Sequence, residues 1–331
     1  MKRIALFRHI FLTVFVLLLG FVLVGCDKSY KTKVEGDFKL IKIKNKWYID
    51  GLVDAERKWE LVIPSTLDVY GIREKAFCDK KGGYDHEFDP SLEGGITGTR
   101  EACYNNTLRK VTIEKELKQI DKGAFYGCRT LEKVILPENV TKICDLAFCK
   151  CKILEDINIP NNVTKIGNYS FAYCNKIKEV DFSKYKNLNN IGECAFAHCE
   201  SLEKMLLPEN ITIIKDGCFL FCESLKSVTI PEKVTIIEES AFNGVYAVEG
   251  IIILGKIKKV GISSFTCHTI FFKGSVSDWD KVRFYDSTNP KYIYEDYDAI
   301  TRYVKYYSED RPSNDLGLYW HYVNDEPTIW S

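Results

Sequence analysis

A small residue followed by phenylalanine recurs along most of this chain, at Phe77, Phe125, Phe148, Phe171, Phe196, Phe219, Phe242 and Phe265. From Phe125 onward the steps are 23, 23, 25, 23, 23 and 23 residues. A fixed period of this length marks one supersecondary unit stacked on copies of itself, because a single unit cannot bury its apolar face alone. The 331 residues would suggest two domains in an ordinary globular protein. A stacked array grows in one dimension and needs no separate cores, so the repeat overrides that expectation.

Each repeat has three parts. The first is L-x-x-V-x-[I/L/F], as in Leu131-Val134-Leu136, Leu154-Ile157-Ile159 and Leu225-Val228-Ile230. Its last apolar positions alternate with polar ones, which predicts a short half-buried strand. Pro137, Pro160, Pro208 and Pro231 follow it. Proline has no N–H to give a neighbouring strand, so the ladder stops and the chain turns there. The second part is V-T-x-I, at Val140–Ile143 and Val163–Ile166. It predicts a very short strand on the opposite wall. The third part carries the small-Phe anchor and closes on cysteine at Cys128, Cys151, Cys174, Cys199 and Cys222. The small residue lets coils approach while the rings fill the centre.

The pattern L-x-x-V-x-I-P followed by V-x-x-I-G-x-x-A-F-x-x-C resembles the leucine-rich repeats of the BspA-like bacterial surface proteins, over about Leu61 to Cys267. Its glycine stands at Gly167 and Gly192 and is replaced elsewhere. The resemblance implies a leucine-rich repeat solenoid, mostly β, with short parallel strands joined by turns or short helical segments. Residues 61–269 form the array, interrupted by a glycine-rich insertion at 79–105. Uncapped solenoids expose their core, so caps are expected at residues 37–60 and 270–331. In the first, Phe38 to Ile49 reads as two short strands around the turn at Lys44 to Lys46. In the second, Phe271-Phe272-Lys273-Gly274-Ser275 with Trp279, and Tyr306-Tyr307 with Tyr319-Trp320-His321-Tyr322-Val323, resemble segments that follow such arrays in the same family. Strands near residues 299–307 and 318–323 are expected to pair there.

Residues 1–25 read as a signal peptide. Lys2, Arg3 and Arg8 precede an apolar run from Ile10 to Val24. The ending Leu23-Val24-Gly25-Cys26 resembles a bacterial lipobox, which implies cleavage before Cys26 and diacylglycerol on its sulfur. An uncleaved signal anchor is the alternative. Lipid chains on Cys26 would hold the protein stably on the outer face of the cell membrane, with residues 26–36 as a polar tether.

Thirteen cysteines allow three readings. A metal site lacks a paired C-x-x-C or Cys/His spacing. Disulfides between rungs fit the distances and an exported protein. A ladder of buried thiols, each a small hydrophobe with a weak S–H donor toward turn carbonyls, explains the repeat column and is preferred. His198-Cys199 and Cys267-His268 are sequence neighbours, which does not make the side chains face each other as a nucleophile and its base must. Asp85, His86, Glu87 and Asp89 read as a solvated acidic loop. No phosphate loop, H-E-x-x-H or G-x-S-x-G is present. The chain is therefore expected to be no enzyme and to carry no cofactor. Lys plus Arg and Asp plus Glu both total 46, so nothing in the charge points to nucleic acid.

What varies from repeat to repeat is the outward face of the first strand. One column reads Lys110, Lys133, Asp156, Glu179, Lys204 and Ser227; its neighbour reads Thr112, Ile135, Asn158, Asp181, Leu206 and Thr229. Asp156, Glu179 and Asp181 are expected to gather, flanked by Lys133 and Lys204, with Ile135 and Leu206 exposed beside them. Such a face is either a mixed solvated surface or a recognition patch, and the carboxylates could share a cation. The resemblance implies a surface protein that adheres to a protein ligand of a host matrix or cell. A structural envelope protein without external ligand is the alternative.

Overall fold

The computed structural model describes residues 31–52, 59–73, 76–77, 107–267, 269–286, 303–310, 319–323 and 326–329. Cys26 with its lipobox, and the insertion at 79–105, lie outside the described residues. The described chain is a β-solenoid of about nine turns with a period of about 23 residues and almost no helix.

Three walls enclose one core. The first wall consists of the L-x-x-V-x-I strands, such as Lys133–Ile135 and Lys204–Leu206, paired in parallel between rungs. Val134, Met205 and Val228 point inward and are fully buried, while their flanks face out. The second wall consists of two-residue strands from the V-T-x-I segments, including Lys142–Ile143 and Lys165–Ile166, again parallel and in register.

The third wall is made of turns rather than helical segments. From Phe125 to Phe242 each coil has two left-handed residues, placed two before and two after the phenylalanine, and the Phe265 coil has the first of them. The first set comprises Gly123, Leu146, Tyr169, Cys194, Gly217, Ser240 and Ser263; the second comprises Gly127, Lys150, Tyr173, His198, Phe221 and Gly244. Flipping alternate residues sends alternate N–H groups along the stack. Leu146, Phe148 and Lys150 thus donate to Asn168, Ser170 and Ala172 of the next coil at 2.8–2.9 Å. The residues between them close turns within their own coil, as Cys149 N–H does on Leu146 O at 3.1 Å. A left-handed non-glycine residue costs roughly 1 kcal/mol. Here it is held by the ladder and by a second apolar cluster on the outside of the turns, where Leu146, Tyr169, Tyr173 and Phe221 pack on Tyr126, Cys149, Ala197 and Leu220.

Inside, the eight phenylalanines form one column. Neighbouring ring centroids lie 5.0–6.0 Å apart, and planes differ by no more than 20°. The thiols form a second column beside it. Cys151, Cys174, Cys199 and Cys222 direct Sγ–H to the carbonyls of Phe125, Phe148, Phe171 and Phe196, one coil back, at 3.1–3.2 Å. None of the ten described cysteines is in a disulfide.

The step of 25 residues has a structural consequence. Its two extra residues fall in the connection after Asp181, where Tyr185 reaches back to donate its hydroxyl to Ile159 O. The first wall breaks at this coil into two sheets, with Asp156–Asn158 ending one and Glu179–Asp181 starting the other. The second wall breaks one coil later, between Asn190–Ile191 and Ile213–Ile214. The turn wall, the ring column and the thiol ladder run through both breaks.

The caps extend opposite walls. Thr32–Glu35, Phe38–Ile43 and Lys46–Leu52 form an antiparallel meander whose last strand pairs in parallel with Gly71–Ile72. Residues 32–35, expected in the polar tether, are therefore a strand of this cap, because Val34 and its neighbours complete the pairing with Lys39 and Leu40. At the other end, Ile270–Phe272, Val304–Tyr307 and Tyr319–Val323 continue the first-wall sheet in parallel, and Glu326–Ile329 closes it antiparallel. Trp320 is fully buried there and donates its indole N–H to Phe272 O at 3.2 Å.

Candidate binding face

The outward residues of the first wall stand in register within each sheet. Lys110, Lys133 and Asp156 are successive neighbours, as are Thr112, Ile135 and Asn158. In the second sheet Glu179, Lys204 and Ser227 form one column, and Asp181, Leu206 and Thr229 the other. The two halves do not join. Asp156 and Glu179 edge different sheets, so the columns do not continue in hydrogen-bonded register from one to the other. Asp156 pairs with Lys133. Asp181 turns back to accept from the N–H and hydroxyl of Ser183 at 2.9 and 2.6 Å, which holds its carboxyl below the usual range. Among the described residues no three His, Cys, Asp or Glu side chains are placed to hold a metal ion.

Two other expectations change. Ile135 and Leu206 are half-buried rather than exposed, because each is flanked by rungs on both sides. Asn158 is engaged with the backbone: its amide accepts from Leu136 N–H at 2.8 Å and donates to Leu136 O at 3.2 Å. It thereby prolongs the ladder by one side chain at the very edge where the sheet stops.

The face also extends further than the two columns. One rung before Lys110 and Thr112 come Glu60 and Val62, and Glu60 lies 3.4 Å from Lys110. Val62 is 49% exposed and Trp59 beside it 69%. Beyond Leu206, Thr229 leads to Ile252, and a groove of about 450 Å³ opens along the edge of the face. Leu206, Leu207, Thr229, Pro231 and Leu254 give it apolar walls, and Ser183, Glu209, Glu232 and Lys233 give it a polar rim. Reading the outward columns one rung further in each direction would have found these residues in the sequence.

His198 and Cys199 do not face each other as a nucleophile and its base would, and His268 lies outside the described residues. Cys199 points inward to Phe171 O, and burial pushes its thiol up to about 12. The His198 ring lies on the outside of the turn wall, stacked on Tyr173 at 4.3 Å and tilted against Phe221 at 4.9 Å.

With three walls, a ring column and a thiol ladder described, comparison with known proteins is direct. The model of the BspA type leucine rich repeat region matches residues 99–205 and 189–297, in six copies. The chain belongs to this family. A leucine rich repeat protein of T. pallidum is 24% identical over 66% of this chain and 91% of its own, with a TM-score of 0.52, and shares the fold. A leucine-rich repeat protein of Bacteroides ovatus is 19% identical, covering 86% of this chain and 70% of its own, with a TM-score of 0.41. A leucine rich cell surface protein of Faecalibacterium prausnitzii is 18% identical, covering 78% and 98%, with a TM-score of 0.28. No curated protein matches the chain. Leucine-rich repeats of this kind are generally protein-binding scaffolds.

Proposed function

We propose that this BspA-type array is a lipid-anchored protein of the outer cell surface that binds a protein partner through the outward face of its first wall. The observation that carries the reading is the apolar groove beside Leu206, flanked by charged rungs on a backbone fixed at every coil. Half-buried Ile135, Leu206 and Ile252 offer apolar area, and Lys110, Lys133, Asp156, Glu179, Asp181 and Lys204 set the charge pattern around it. Interfaces combine such an apolar centre with a polar rim. The anchor rests on Lys2, Arg3, Arg8, the apolar run and the ending Leu23-Val24-Gly25-Cys26. Adhesion to a host matrix or cell surface is the reading that the family resemblance favours over an envelope-assembly role.

The test is binding to a panel of purified host-matrix proteins by the full chain and by two variants. Leu206→Glu places a charge in the groove; Lys165→Glu alters an exposed lysine of the second wall. The reading expects the first to lose a ligand by at least tenfold and the second to keep it. Equal binding by both variants would refute the assigned face. Export of a Cys26→Ser chain without membrane retention tests the anchor.

A further inference from the structure

The chain as a whole is neutral, with 46 cationic and 46 anionic side chains. Over much of the first wall the charges alternate between rungs and pair, as in Arg109–Glu132, Lys133–Asp156 and Lys226–Glu203. Near the C-terminal end of the second wall this balance fails. A groove of about 410 Å³ is rimmed by Lys256, Lys258, Lys259, Lys281 and Arg283, with Asp278 as its one carboxylate. All five cations are exposed, and the floor is formed by buried Ile257 and Phe272. Asp278 is occupied by the Ser275 N–H and hydroxyl at 3.1 and 2.7 Å, and Lys281 stands 3.7 Å from it. Among the described residues no carboxylate lies within ion-pair distance of Lys256, Lys258, Lys259 or Arg283. Lys259 and Arg283 are direct neighbours on adjacent parallel strands, an arrangement in which like charges repel. A second groove, of about 440 Å³, shares Lys256, Lys258 and Asp278 and adds Lys273, which pairs with Glu232 at 3.3 Å.

We infer that this groove is a binding site for a sulfated polysaccharide. Four of its five cations are lysines, compact point charges suited to separate monoanionic groups. Carboxylates and phosphates favour the bidentate fork of arginine, of which there is one. Lys256, Lys258 and Lys259 stand on one coil and Lys281 and Arg283 on the next, so the cations line two adjacent rungs that a linear polyanion can follow. Single-stranded nucleic acid needs exposed rings for its bases, and the one ring in the groove, Phe272, is fully buried. A flat lipid surface would not enter a concave groove. The site is separate from the first-wall face and does not depend on it.

The test uses the full chain in nonionic detergent and a fluorescent heparin-derived octasaccharide. The expected result is binding that Lys258→Glu/Lys259→Glu weakens at least tenfold. Lys142→Glu/Lys165→Glu, which reverses another adjacent lysine pair on the same wall, should leave affinity within twofold. Lys256→Gln/Lys281→Gln, which removes charge without reversing it, should weaken binding three- to tenfold, and the melting temperatures of all variants report folding. Polyphosphate and polyuridylate of matched charge should bind at least tenfold more weakly. Absence of octasaccharide binding overturns the inference. So does an equal loss in the 142/165 variant, which would mean net charge alone is sensed. Tighter binding of polyphosphate or polyuridylate overturns the assignment of a sulfated ligand.

Discussion

Truncating Phe196 to alanine is the sharpest test of the ring column. The side chain is fully buried. It lies 5.3 Å from Phe171 and 6.0 Å from Phe219, nearly parallel to both, with Phe182 tilted against it at 6.2 Å. Its backbone is tied twice to the following coil, where Phe196 N–H donates to Cys218 O at 3.0 Å and Phe196 O accepts from Cys222 Sγ at 3.1 Å, and on the preceding side adjacent Ala195 O accepts from Phe171 N–H at 2.8 Å. The coil cannot sink into the space the ring leaves, so transfer and cavity terms both apply. Phe→Ala in such a site costs about 3–5 kcal/mol, and the pinned backbone places Phe196→Ala near ~4 kcal/mol. Phe265 ends the same column, is only partly buried, and has among the described residues one ring neighbour, Phe242, at 5.9 Å. Phe265→Ala should therefore cost about half as much, ~2 kcal/mol. Both variants are to be unfolded in urea, with hydrogen exchange followed coil by coil, since long arrays need not melt as one unit. The Phe196 variant should lose protection first in the coils on either side of residue 196. If the two substitutions cost the same, or Phe196→Ala costs less than ~2 kcal/mol, the rings are not what holds the coils together.

Three further outcomes follow from the same geometry. Burial, with Glu239, Glu193 and Glu238 close by, raises Asp216 to about 6. The fold thus favours protonated Asp216: stability from this group is full below its unfolded pKa of ~3.9 and is lost as pH rises toward 6. Because the side chain is partly solvated, Asp216→Asn should stabilise by no more than ~1 kcal/mol at pH 7 and by nothing at pH 3.5, read from urea midpoints. Among the ten described thiols, half-exposed Cys144 should be alkylated first at pH 8, mapped by mass spectrometry. Burial raises the pKa of Cys151, Cys174, Cys218 and Cys222, keeping them protonated until the array unfolds. Asn158→Ala removes two hydrogen bonds from Leu136 and should cost about 1–2 kcal/mol, with faster amide exchange at Leu136 and little change at Val111.

The ring and thiol columns and both sets of short strands were legible in the sequence because they recur at fixed offsets from Phe125, Phe148 and Phe171. The turn wall was not. Leu146, Tyr169, His198 and Phe221 are poor candidates for a left-handed backbone one by one, and only their alignment with Gly123, Gly127, Gly217 and Gly244 betrays the position. The break in the first wall was half legible. The 25-residue step announces extra chain, but whether a bulge absorbs it or a sheet ends there depends on how Tyr185 and Asn158 bond. The outward columns were read correctly as columns within each sheet, and wrongly as continuous across that break. The basic groove escaped because Lys256 and Arg283 are 27 residues apart in sequence and meet only when two coils are stacked.

The turn ladder also gives the molecule a head and a tail. Every left-handed residue and every column phenylalanine with a described partner sends its N–H toward the C-terminal side. On the turn wall a coil therefore receives backbone bonds on its N-terminal rim and gives them on its C-terminal rim, while strand and thiol donors such as Thr141 N–H, Gly167 N–H and Cys174 Sγ–H point the other way. Insertion or deletion of whole coils preserves this sense. An array of this kind can lengthen by duplication of whole coils without redesign of its turn wall.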